Sequence, residues 1–460
     1  MDERRVCIIG AGASGIVAAR TMSQRGISFD CFEKGSGIGG LWRYNNDNGM
    51  SATYKSLHIN SSRKLMAFSG FPMPVSYPDF PHHSHILEYY ESFVDHYGLR
   101  QHIQFNTTVE SVEPVENGHV VTFTRNGVTE SRHYDNVLVA NGHHWSPRKP
   151  EFPGTFNGEQ FHSFFYKTTE GLEDKRVLVV GIGNSGCDIA SEVSRIAKKT
   201  YLSTRRGAHI IPKYIFGQPL DRASKAFFWN VLPFRLFQTL FGFALRLARG
   251  RLSRFGLPEP SHRVLEEHPT VASDLLNLIG HGKIAVKPNV HNLDDGRVSF
   301  ADGSTEDVDV IIYATGYDIR FPFLNDDVLN TENNEVPLYK RVVHPSHPGL
   351  FFIGLVQPWG PLNPLSESQC EWVADLISEE AMLPNEEEMV ADIGKERRTM
   401  RKRYANSIRH TIQVDFYPYL RTLKKERQAC QRRRAKSGRA PAIFPITSHS
   451  HEPAARSEAA

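Results

Sequence analysis

Two glycine-rich segments carry the clearest chemical signal in this sequence. Each has the spacing Gly-x-Gly-x-x-Gly after a short apolar run, and the glycines are Gly10, Gly12 and Gly15 in the first segment and Gly181, Gly183 and Gly186 in the second. Such a segment joins a strand to a helix whose N-terminal amides bind a pyrophosphate, and its glycines let the backbone approach the phosphates. One copy is a weak signal. Two copies predict an α/β protein with two Rossmann-like dinucleotide-binding domains.

The residue that ends the next strand indicates which dinucleotide each segment binds, because its side chain meets the adenosine ribose. In the first unit this residue is Glu33, eighteen positions after Gly15, and a carboxylate accepts hydrogen bonds from unphosphorylated ribose hydroxyls. FAD or NAD is therefore expected there. In the second unit Arg205 and Arg206 stand at this place, and their guanidinium groups suit the 2′-phosphate of NADPH. A chain that holds a flavin and NADPH is most simply an oxidoreductase.

The order of the apolar segments predicts that one domain is inserted into the other. The FAD domain is expected to be discontinuous, with residues 1–165 as its first part and residues 304–425 as its second. Residues 166–303 are expected to form the NADPH domain, with a helical insertion at residues 213–275.

Shorter segments have their own predictions. The buried run 308–316 is expected to return to the first domain, and residues 102–105 are expected to join 119–123 in a small antiparallel sheet. A helix is predicted over residues 85–97. Residues 426–460 begin with a strongly basic run and are expected to form a flexible tail.

Composition limits the class of protein. The chain has 460 residues, 40% of them hydrophobic and 23% charged, and a net charge of +3, which is ordinary for a globular protein and makes no case for a nucleic-acid partner. The five cysteines form no C-x-x-C pair, so a reducing compartment, by default the cytoplasm, is expected and a redox-active dithiol is disfavoured. No metal site is expected, because His82, His83 and His85 lack a spaced partner set and are interpreted as a polar loop.

Residues 226–247 are rich in Phe and Leu but are interrupted by arginines. The charge-free pieces are too short for the ~20 apolar residues that cross a bilayer, so no transmembrane segment is expected. A helical lid over the active-site entrance is the favoured interpretation, and peripheral contact of a basic amphipathic helix with a membrane surface stays open.

A motif between the two glycine segments resembles a known family. Phe156, Gly158, His162, Ser163 and Tyr166 have the spacing F-x-G-x-x-x-H-S-x-x-Y, which is similar to the identifying motif of flavin-containing monooxygenases. Further segments that look like landmarks of that family are 39–42, 54–62, 181–188, 203–206, 314–317 and 354–358. The resemblance covers about residues 4–422.

The resemblance implies an NADPH- and FAD-dependent monooxygenase. NADPH would reduce FAD, O₂ would add at flavin C4a, and the resulting hydroperoxide would transfer one oxygen atom to a soft nitrogen or sulfur nucleophile of a small molecule, in a site that excludes water. A homo-oligomer, most simply a dimer, is expected.

Two alternatives stay open. Related ketone-oxidising enzymes end the motif with Trp-Pro or Trp-Asp, whereas Tyr166 and Lys167 stand here, so Baeyer–Villiger oxidation of ketones to esters or lactones is the second choice. A dinucleotide-binding protein that senses NADPH without turnover is an alternative of another class.

Asn60 is the expected catalytic residue, because it matches the family's asparagine and a neutral amide can donate hydrogen bonds without adding charge. His162 is interpreted as a structural member of the motif, and Asp188 and Glu192 as solvated or capping residues. The expected cofactor-binding residues are Gly10, Gly12, Ser14, Gly15, Glu33, Gly40, Leu41, Trp42, Asn60, Val109, Gly181, Gly183, Asn184, Ser185, Gly186, Thr204, Arg205, Arg206, Thr315 and Gln357.

Overall fold

The structure is a computed structural model that describes residues 5–215, 217–222, 234–404 and 411–438. Its strands are β1 Val6–Ile9, β2 Phe29–Phe32, β3 Ile103–Gln104, β4 Thr107–Val115, β5 Gly118–Arg125, β6 Val128–Tyr134, β7 Asn136–Val139, β8 Ser146–Pro147, β9 Gly154–Phe156, β10 Glu159–His162, β11 Arg176–Val180, β12 Lys199–Ser203, β13 Ile210–Ile211, β14 Tyr214–Ile215, β15 Gln218–Pro219, β16 Thr270–Val271, β17 Ile284–Lys287, β18 Val290–Asp295, β19 Arg297–Phe300, β20 Thr305–Asp307, β21 Val310–Tyr313, β22 Tyr317–Asp318, β23 Leu350–Phe352, β24 Gln357–Trp359 and β25 Gln413–Asp415.

The α-helices that the structure describes range from 4 to 22 residues. They are α1 Ala13–Gln24, α2 Arg63–Met66, α3 His83–His96, α4 Asn184–Val193, α5 Phe234–Arg249, α6 Leu275–Gly280, α7 Asn363–Ile377, α8 Glu386–Arg403 and α9 Phe416–Ser437. Within the described residues, no helix combines the length and apolar character needed to cross a membrane.

Two five-stranded parallel sheets form the framework. The first has the order β23-β7-β1-β2-β3 and the second the order β10-β21-β11-β12-β17. In each sheet the strand before the glycine segment, β1 or β11, is central and followed by a helix, α1 or α4. All four residues of β1 are buried, as expected for a parallel strand covered on both faces. The prediction of two Rossmann-like units is confirmed, and the second lies between parts of the first.

The two sheets repeat one local arrangement. At Gly10, where φ is +100°, an added Cβ would lie 2.8 Å from the carbonyl oxygen of Ala140, just after β7. At Gly181, with φ +119°, it would lie 2.3 Å from the carbonyl oxygen of Ala314, just after β21. Both contacts are shorter than real Cβ atoms tolerate, so glycine is required at both turns.

The pairing of β21 corrects the predicted domain boundaries. Its residues, within the run 308–316, pair with β10 and β11 rather than returning to the first sheet, and the returning strand is β23. Boundaries at 165/166 and 303/304 would therefore cut the second sheet, whose strands run from β10 to β21. An apolar run of this kind suits the centre of either parallel sheet, so composition alone could not assign it.

Three local predictions also differ from the structure. Residues 103–104 form β3 at the edge of the first parallel sheet, whereas the antiparallel sheet is β4-β5-β6. The helix predicted over 85–97 begins earlier, as α3. At its N-terminus the ring of His82 accepts a hydrogen bond from the Ser84 amide, so these histidines begin a helix and do not form a loop.

Among the described residues, no cluster of His, Cys, Asp or Glu has the arrangement of a metal site.

The basic run after residue 426 continues a packed helix. Cys430 on α9 is buried, and the guanidinium group of Arg427 forms an ion pair with Asp375 on α7 at 2.6 Å. Because a buried face holds this segment on α7, the tail prediction is wrong up to Ser437. The remainder, residues 439–460, lies outside the described residues.

Two crossings connect the units, and they lie side by side. The chain leaves the first sheet after β7 and returns after β21, and short strands β8 and β22 of these crossings pair antiparallel. The Arg148 side chain donates to the Asp318 carboxylate at 2.7 Å, and its amide donates to the Gly316 carbonyl at 3.0 Å.

Candidate active site

One cavity of about 1430 Å³ lies at the carboxyl ends of both sheets. This volume exceeds the ~300–1,000 Å³ of a typical small-molecule site. Eighteen of the predicted residues line it: Gly10, Gly12, Ser14, Glu33, Gly40, Leu41, Trp42, Asn60, Val109, Gly181, Gly183, Asn184, Ser185, Thr204, Arg205, Arg206, Thr315 and Gln357. Gly15 and Gly186 do not line it and instead face Gly10 and Gly181, where an added Cβ would overlap a carbonyl oxygen.

The first fingerprint packs against the loop that follows β2. A Cβ at Gly40 would lie 3.0 Å from the Cα of Gly12, and the Gly39 amide donates to the Ala11 carbonyl at 3.0 Å. This close approach leaves a shallow backbone cradle at the N-terminus of α1, where free amides and the helix dipole suit a pyrophosphate. Ser14 on that first turn contacts Ser366 of α7 at 3.1 Å between hydroxyl oxygens.

Glu33 is held in place by three donors of the protein. The amides of Ala11 and Gly35 donate to its two carboxylate oxygens at 2.8 Å each, and Asn48 Nδ2 donates at 3.1 Å. A carboxylate offers about four acceptor positions, so capacity remains for a ribose hydroxyl. Sequence reasoning identified Glu33 and missed Asn48, which lies in a loop with no recognisable motif.

A polar segment, residues 51–58, connects the flavin-side loop to the second unit; we call it the interdomain strap. The hydroxyls of Ser51 and Thr53 donate to the Leu41 carbonyl at 2.7 and 2.5 Å. On its other side the Lys167 ammonium group donates to the carbonyls of Ser51 and Thr53 at 2.7 and 3.1 Å. Burial lowers the pKa of Lys167.

The strap also binds helix α4. The Tyr54 hydroxyl donates to Asp188 at 2.8 Å, and the hydroxyls of Ser56 and Tyr166 donate to Glu192 at 2.8 and 2.9 Å. Burial raises the pKa of Asp188. Asp188 and Glu192 are therefore not simply solvated or capping residues, and the strap gives both carboxylates a role in joining the two units.

Asn60 lies two residues after the strap and lines the cavity together with Ser61 and Met66. The backbone around it is anchored, because the Ile59 amide donates to the Pro81 carbonyl at 3.0 Å and the Ser62 amide to Asp221 at 2.6 Å. An uncharged amide thus faces the cavity from a fixed stretch of chain.

The second fingerprint is tied to the end of the helical insertion. Asn184 Oδ1 accepts from the Val271 amide at 2.7 Å, and the Thr270 hydroxyl donates to the Ile182 carbonyl at 2.9 Å. The carbonyl end of the Asn184 side chain therefore binds backbone, which leaves its amino end for a ligand. Ser185, on the first turn of α4, lines the cavity.

The predicted phosphate-binding arginines have different surroundings. The Thr204 hydroxyl donates to the Arg206 carbonyl at 2.7 Å and shapes the turn after β12. Arg205 is exposed at the cavity, whereas the guanidinium group of Arg206 pairs with Glu267 at 3.1 Å. Glu267 had no signal in the sequence, because it comes from a remote part of the insertion.

The family-like motif has a structural histidine. His162 is buried, its Nδ1 accepts from the Phe164 amide at 3.1 Å, and its ring packs edge-on against Tyr317 with 5.2 Å between centroids. Burial lowers the pKa of His162 to about 4, so the ring is neutral at pH 7. These contacts agree with the structural interpretation of this residue.

The remaining predicted residues lie where the crossings and the first unit meet the cavity. The Thr315 hydroxyl donates to the Arg148 carbonyl, and the backbone amide of Gln357 donates to the Ile412 carbonyl at 2.8 Å. Val109 lies beside an irregularity in the pairing of β4 with β5. His143 and His144 also line the cavity and were not predicted, although they follow β7 at a sheet's carboxyl end, where ligands of such folds bind.

The insertion does not close this cavity with helix α5. None of the residues of α5 lines it, and the buried Phe237 and Leu245 pack on Ile211, Val264 and Leu265. The lid prediction is thus wrong for residues 234–247, and its first part, residues 226–233, lies outside the described residues.

A family comparison decides which protein class has this geometry. The model of the flavin-binding monooxygenase-like family matches residues 3–430. The chain belongs to this family. Flavin-containing monooxygenase 5 of Rattus norvegicus is 42% identical over 440 residues, which cover 90% of this chain and 81% of that protein. An N-oxide-forming dimethylaniline monooxygenase 2 of the same species is 37% identical over 441 residues, covering 92% and 82%.

Solved structures agree with this assignment. The S-allyl-L-cysteine S-oxygenase of Allium sativum is 26% identical with a TM-score of 0.70, covering 94% of this chain and 92% of that chain. The OTEMO complex with FAD and NADP has a TM-score of 0.74 at 18% identity, covering 93% and 98%, and shows the shared fold. The chain is a flavin-dependent monooxygenase that uses FAD and NADPH, as the resemblance implied.

The residues present fit both cofactors. The Gly12 and Gly40 cradle and the fixed Glu33 carboxylate suit the pyrophosphate and adenosine ribose of FAD, and Gly183 with Arg205 suits those of NADPH.

Proposed function

We propose that this chain oxygenates soft nitrogen or sulfur atoms of small molecules. The observation that carries the proposal is that the first two glycines of each fingerprint, both ribose-contacting positions and Asn60 line one cavity. Two dinucleotides bound in a single cavity can bring their reactive rings together. When bound, FAD accepts hydride from NADPH and activates O₂ for transfer of one oxygen atom.

The protein's own residues supply position and shielding. The N-terminal amides of α1 and α4 hold the pyrophosphates, Glu33 orients one ribose and Arg205 the phosphorylated one. Asn60 offers a hydrogen-bond donor at the reacting end without a titratable proton. The strap on one side of this asparagine and the hydrogen bond from the Ser62 amide to Asp221 on the other hold its backbone in place, which keeps the donor positioned where water must be excluded.

The experiment is a product balance. Purified protein with FAD is supplied with NADPH, O₂ and, in turn, a thioether, a tertiary amine and a cyclic ketone, and oxygenated product is compared with H₂O₂. Sulfoxide or N-oxide in proportion to NADPH consumed is expected. Ester or lactone from the ketone instead would favour the Baeyer–Villiger alternative, and complete conversion of O₂ to H₂O₂ with every compound would contradict oxygenation.

We also propose peripheral contact of α5 with anionic membranes. Its exposed apolar side chains are Leu236, Leu240, Phe243 and Leu247, between 45% and 72% exposed, and residues 234–258 contain five arginines and no acidic residue. Apolar side chains beside arginines suit a negatively charged lipid surface. Co-sedimentation with phosphatidylserine vesicles, but not with neutral ones, would support this contact, and loss of it in Phe243→Gln would locate it.

We further propose that the chain forms a homodimer and is located in the cytoplasm. Sedimentation velocity of the purified protein tests the first, and cell fractionation tests the second.

A further inference from the structure

Arg206 and Glu267 form an ion pair at the wall of the cavity, at the place predicted to bind the 2′-phosphate of NADPH. One guanidinium nitrogen lies 3.1 Å from a carboxylate oxygen, and both residues line the cavity. The Glu267 side chain is 12% exposed and that of Arg206 is 35% exposed. The carboxylate is thus the more buried partner, and it is oriented toward the arginine.

The backbone holds this carboxylate where it is. Strands β13 and β16 pair in parallel, and the Thr270 amide donates to the His209 carbonyl at 3.3 Å. At Gly207 an added Cβ would lie 2.3 Å from the Pro258 carbonyl oxygen, so the turn that carries Arg206 also packs closely on another part of the insertion. The ring of His262, 3.8 Å from the Glu267 carboxylate, adds a further neighbour. Glu267 is therefore a fixed part of the site.

The pair changes the charge that a ligand meets. Two arginines alone would present two positive charges to a phosphate, but the carboxylate cancels that of Arg206 at close range. The phosphate of NADPH must then approach a carboxylate of like sign, whereas NADH, with a hydroxyl at this position, does not. Arg205 is left to attract the phosphate.

We propose that Glu267 sets how strongly this enzyme prefers NADPH to NADH. By holding Arg206 it weakens the binding of the 2′-phosphate, and the enzyme accepts NADH as a second hydride donor. The inference rests on the proposed binding of the dinucleotide at the second fingerprint, and it adds a specificity-determining residue from the helical insertion.

The test compares wild type with Glu267→Gln, Arg206→Gln and the double variant. In Glu267→Gln the ratio of kcat/KM for NADPH to that for NADH is expected to rise about three- to tenfold, through a lower KM for NADPH, as expected for removing one partly exposed charge beside the phosphate. Arg206→Gln alone is expected to lower the ratio, because the Glu267 carboxylate then faces the phosphate without its cation. In the Arg206→Gln background the further change Glu267→Gln is expected to raise the ratio by less than it does in wild type, because no guanidinium group is released to the phosphate.

A binding measurement needs no turnover. Calorimetric titration of the full-length protein with adenosine 2′,5′-bisphosphate and with 5′-AMP is expected to show the same three- to tenfold gain for the bisphosphate alone in Glu267→Gln. Glu266→Gln is the matched control, because it removes the same charge from a side chain that accepts from the Arg263 amide and does not line the cavity.

Three outcomes would overturn the proposal. The first is a preference for NADPH in Glu267→Gln that is unchanged, which would mean that the ion pair does not affect the phosphate, or lower, which would mean that the carboxylate orients Arg206 for the phosphate. The second is an equal gain in the Arg206→Gln background, which would show that the effect does not pass through Arg206. The third is an equal gain in Glu266→Gln. A wild-type protein that shows the predicted binding but oxygenates nothing would contradict the proposed function while leaving this inference intact.

Discussion

At the scale of the residue, neighbouring side chains of the same type do different jobs in this site. Arg205 and Arg206 are adjacent in the chain, yet the first is exposed to the cavity and the second pairs with Glu267. A guanidinium group that keeps its donors for the ligand binds a phosphate more tightly than one already engaged. The contribution of Arg206 therefore depends on a partner more than sixty residues away.

Arg205→Ala is expected to raise the KM for NADPH with little change for NADH. Loss of a charge-assisted hydrogen bond to the phosphate costs about 1.5–3 kcal/mol. Steady-state kinetics with both dinucleotides measures this difference. An equal loss for NADH would show that Arg205 does not contact the 2′-phosphate.

Asn60→Ala is expected to leave NADPH-dependent FAD reduction within about twofold of wild type while diverting O₂ to H₂O₂. The amide is proposed to stabilise the oxygenating state, and removing one such donor costs about 10²–10³ in the step that it assists. Anaerobic reduction followed by a product and peroxide balance separates the two steps. Unchanged coupling of NADPH to product would remove Asn60 from the mechanism.

At the scale of the element, the interdomain strap is the feature that joins the two cofactor units. Its hydroxyls bind the loop at Leu41, and Tyr54 binds α4 through Asp188. Lys167, the residue after Tyr166 of the motif, donates to the Ser51 and Thr53 carbonyls on the other side of the strap. A segment bound on both sides transmits any shift of α4 to the neighbouring Asn60.

Lys167→Met is expected to destabilise the protein by about 1.5–3 kcal/mol, because it leaves the carbonyls of Ser51 and Thr53 without their charged donor. The share of H₂O₂ is expected to rise as well, since the chain next to Asn60 loosens. Urea unfolding and a peroxide assay measure the two effects. Lys64→Met, on the exposed face of α2, is the control, and equal effects in both variants would contradict a specific role for the strap.

Site residues that lie within one βαβ unit could be predicted from the sequence. Features that depend on which strands pair, or on contacts between distant loops, could not. The fingerprint at Gly10 and the carboxylate of Glu33 follow from spacing, because turn and ribose contact lie within one βαβ unit. The assignment of 308–316 failed because a buried parallel strand fits either sheet. Glu267 and Asn48 were missed because their positions follow from tertiary contacts with loops distant in sequence.

At the scale of the whole molecule, several histidines are buried and neutral. Burial lowers the pKa of His119, His162 and His344 to about 4. The unfolded chain binds these protons near pH 6.5, so between pH 6.5 and 4 it holds more protons than the folded protein. The free energy of unfolding therefore falls as the pH is lowered through this window.

The prediction is a fall of the urea midpoint from pH 6.5 toward pH 4, to which each such histidine contributes at most about 1.4 kcal/mol per pH unit. His119→Phe should flatten part of this dependence. His291→Gln, an exposed substitution on β18, should leave it as in wild type. A His119→Phe profile that coincides with wild type would contradict the role assigned to burial.

Because β8 and β22 pair with each other, the first and last residues of the inserted unit lie side by side. Such a unit behaves as a cassette: its two ends already meet, so exchanging everything between residues 147 and 317 would leave the host sheet uncut. The corresponding unit of a relative would bring its own turn after β12 and its own insertion. The preference for NADPH or NADH would then be that of the relative, while the flavin site of this chain would be kept.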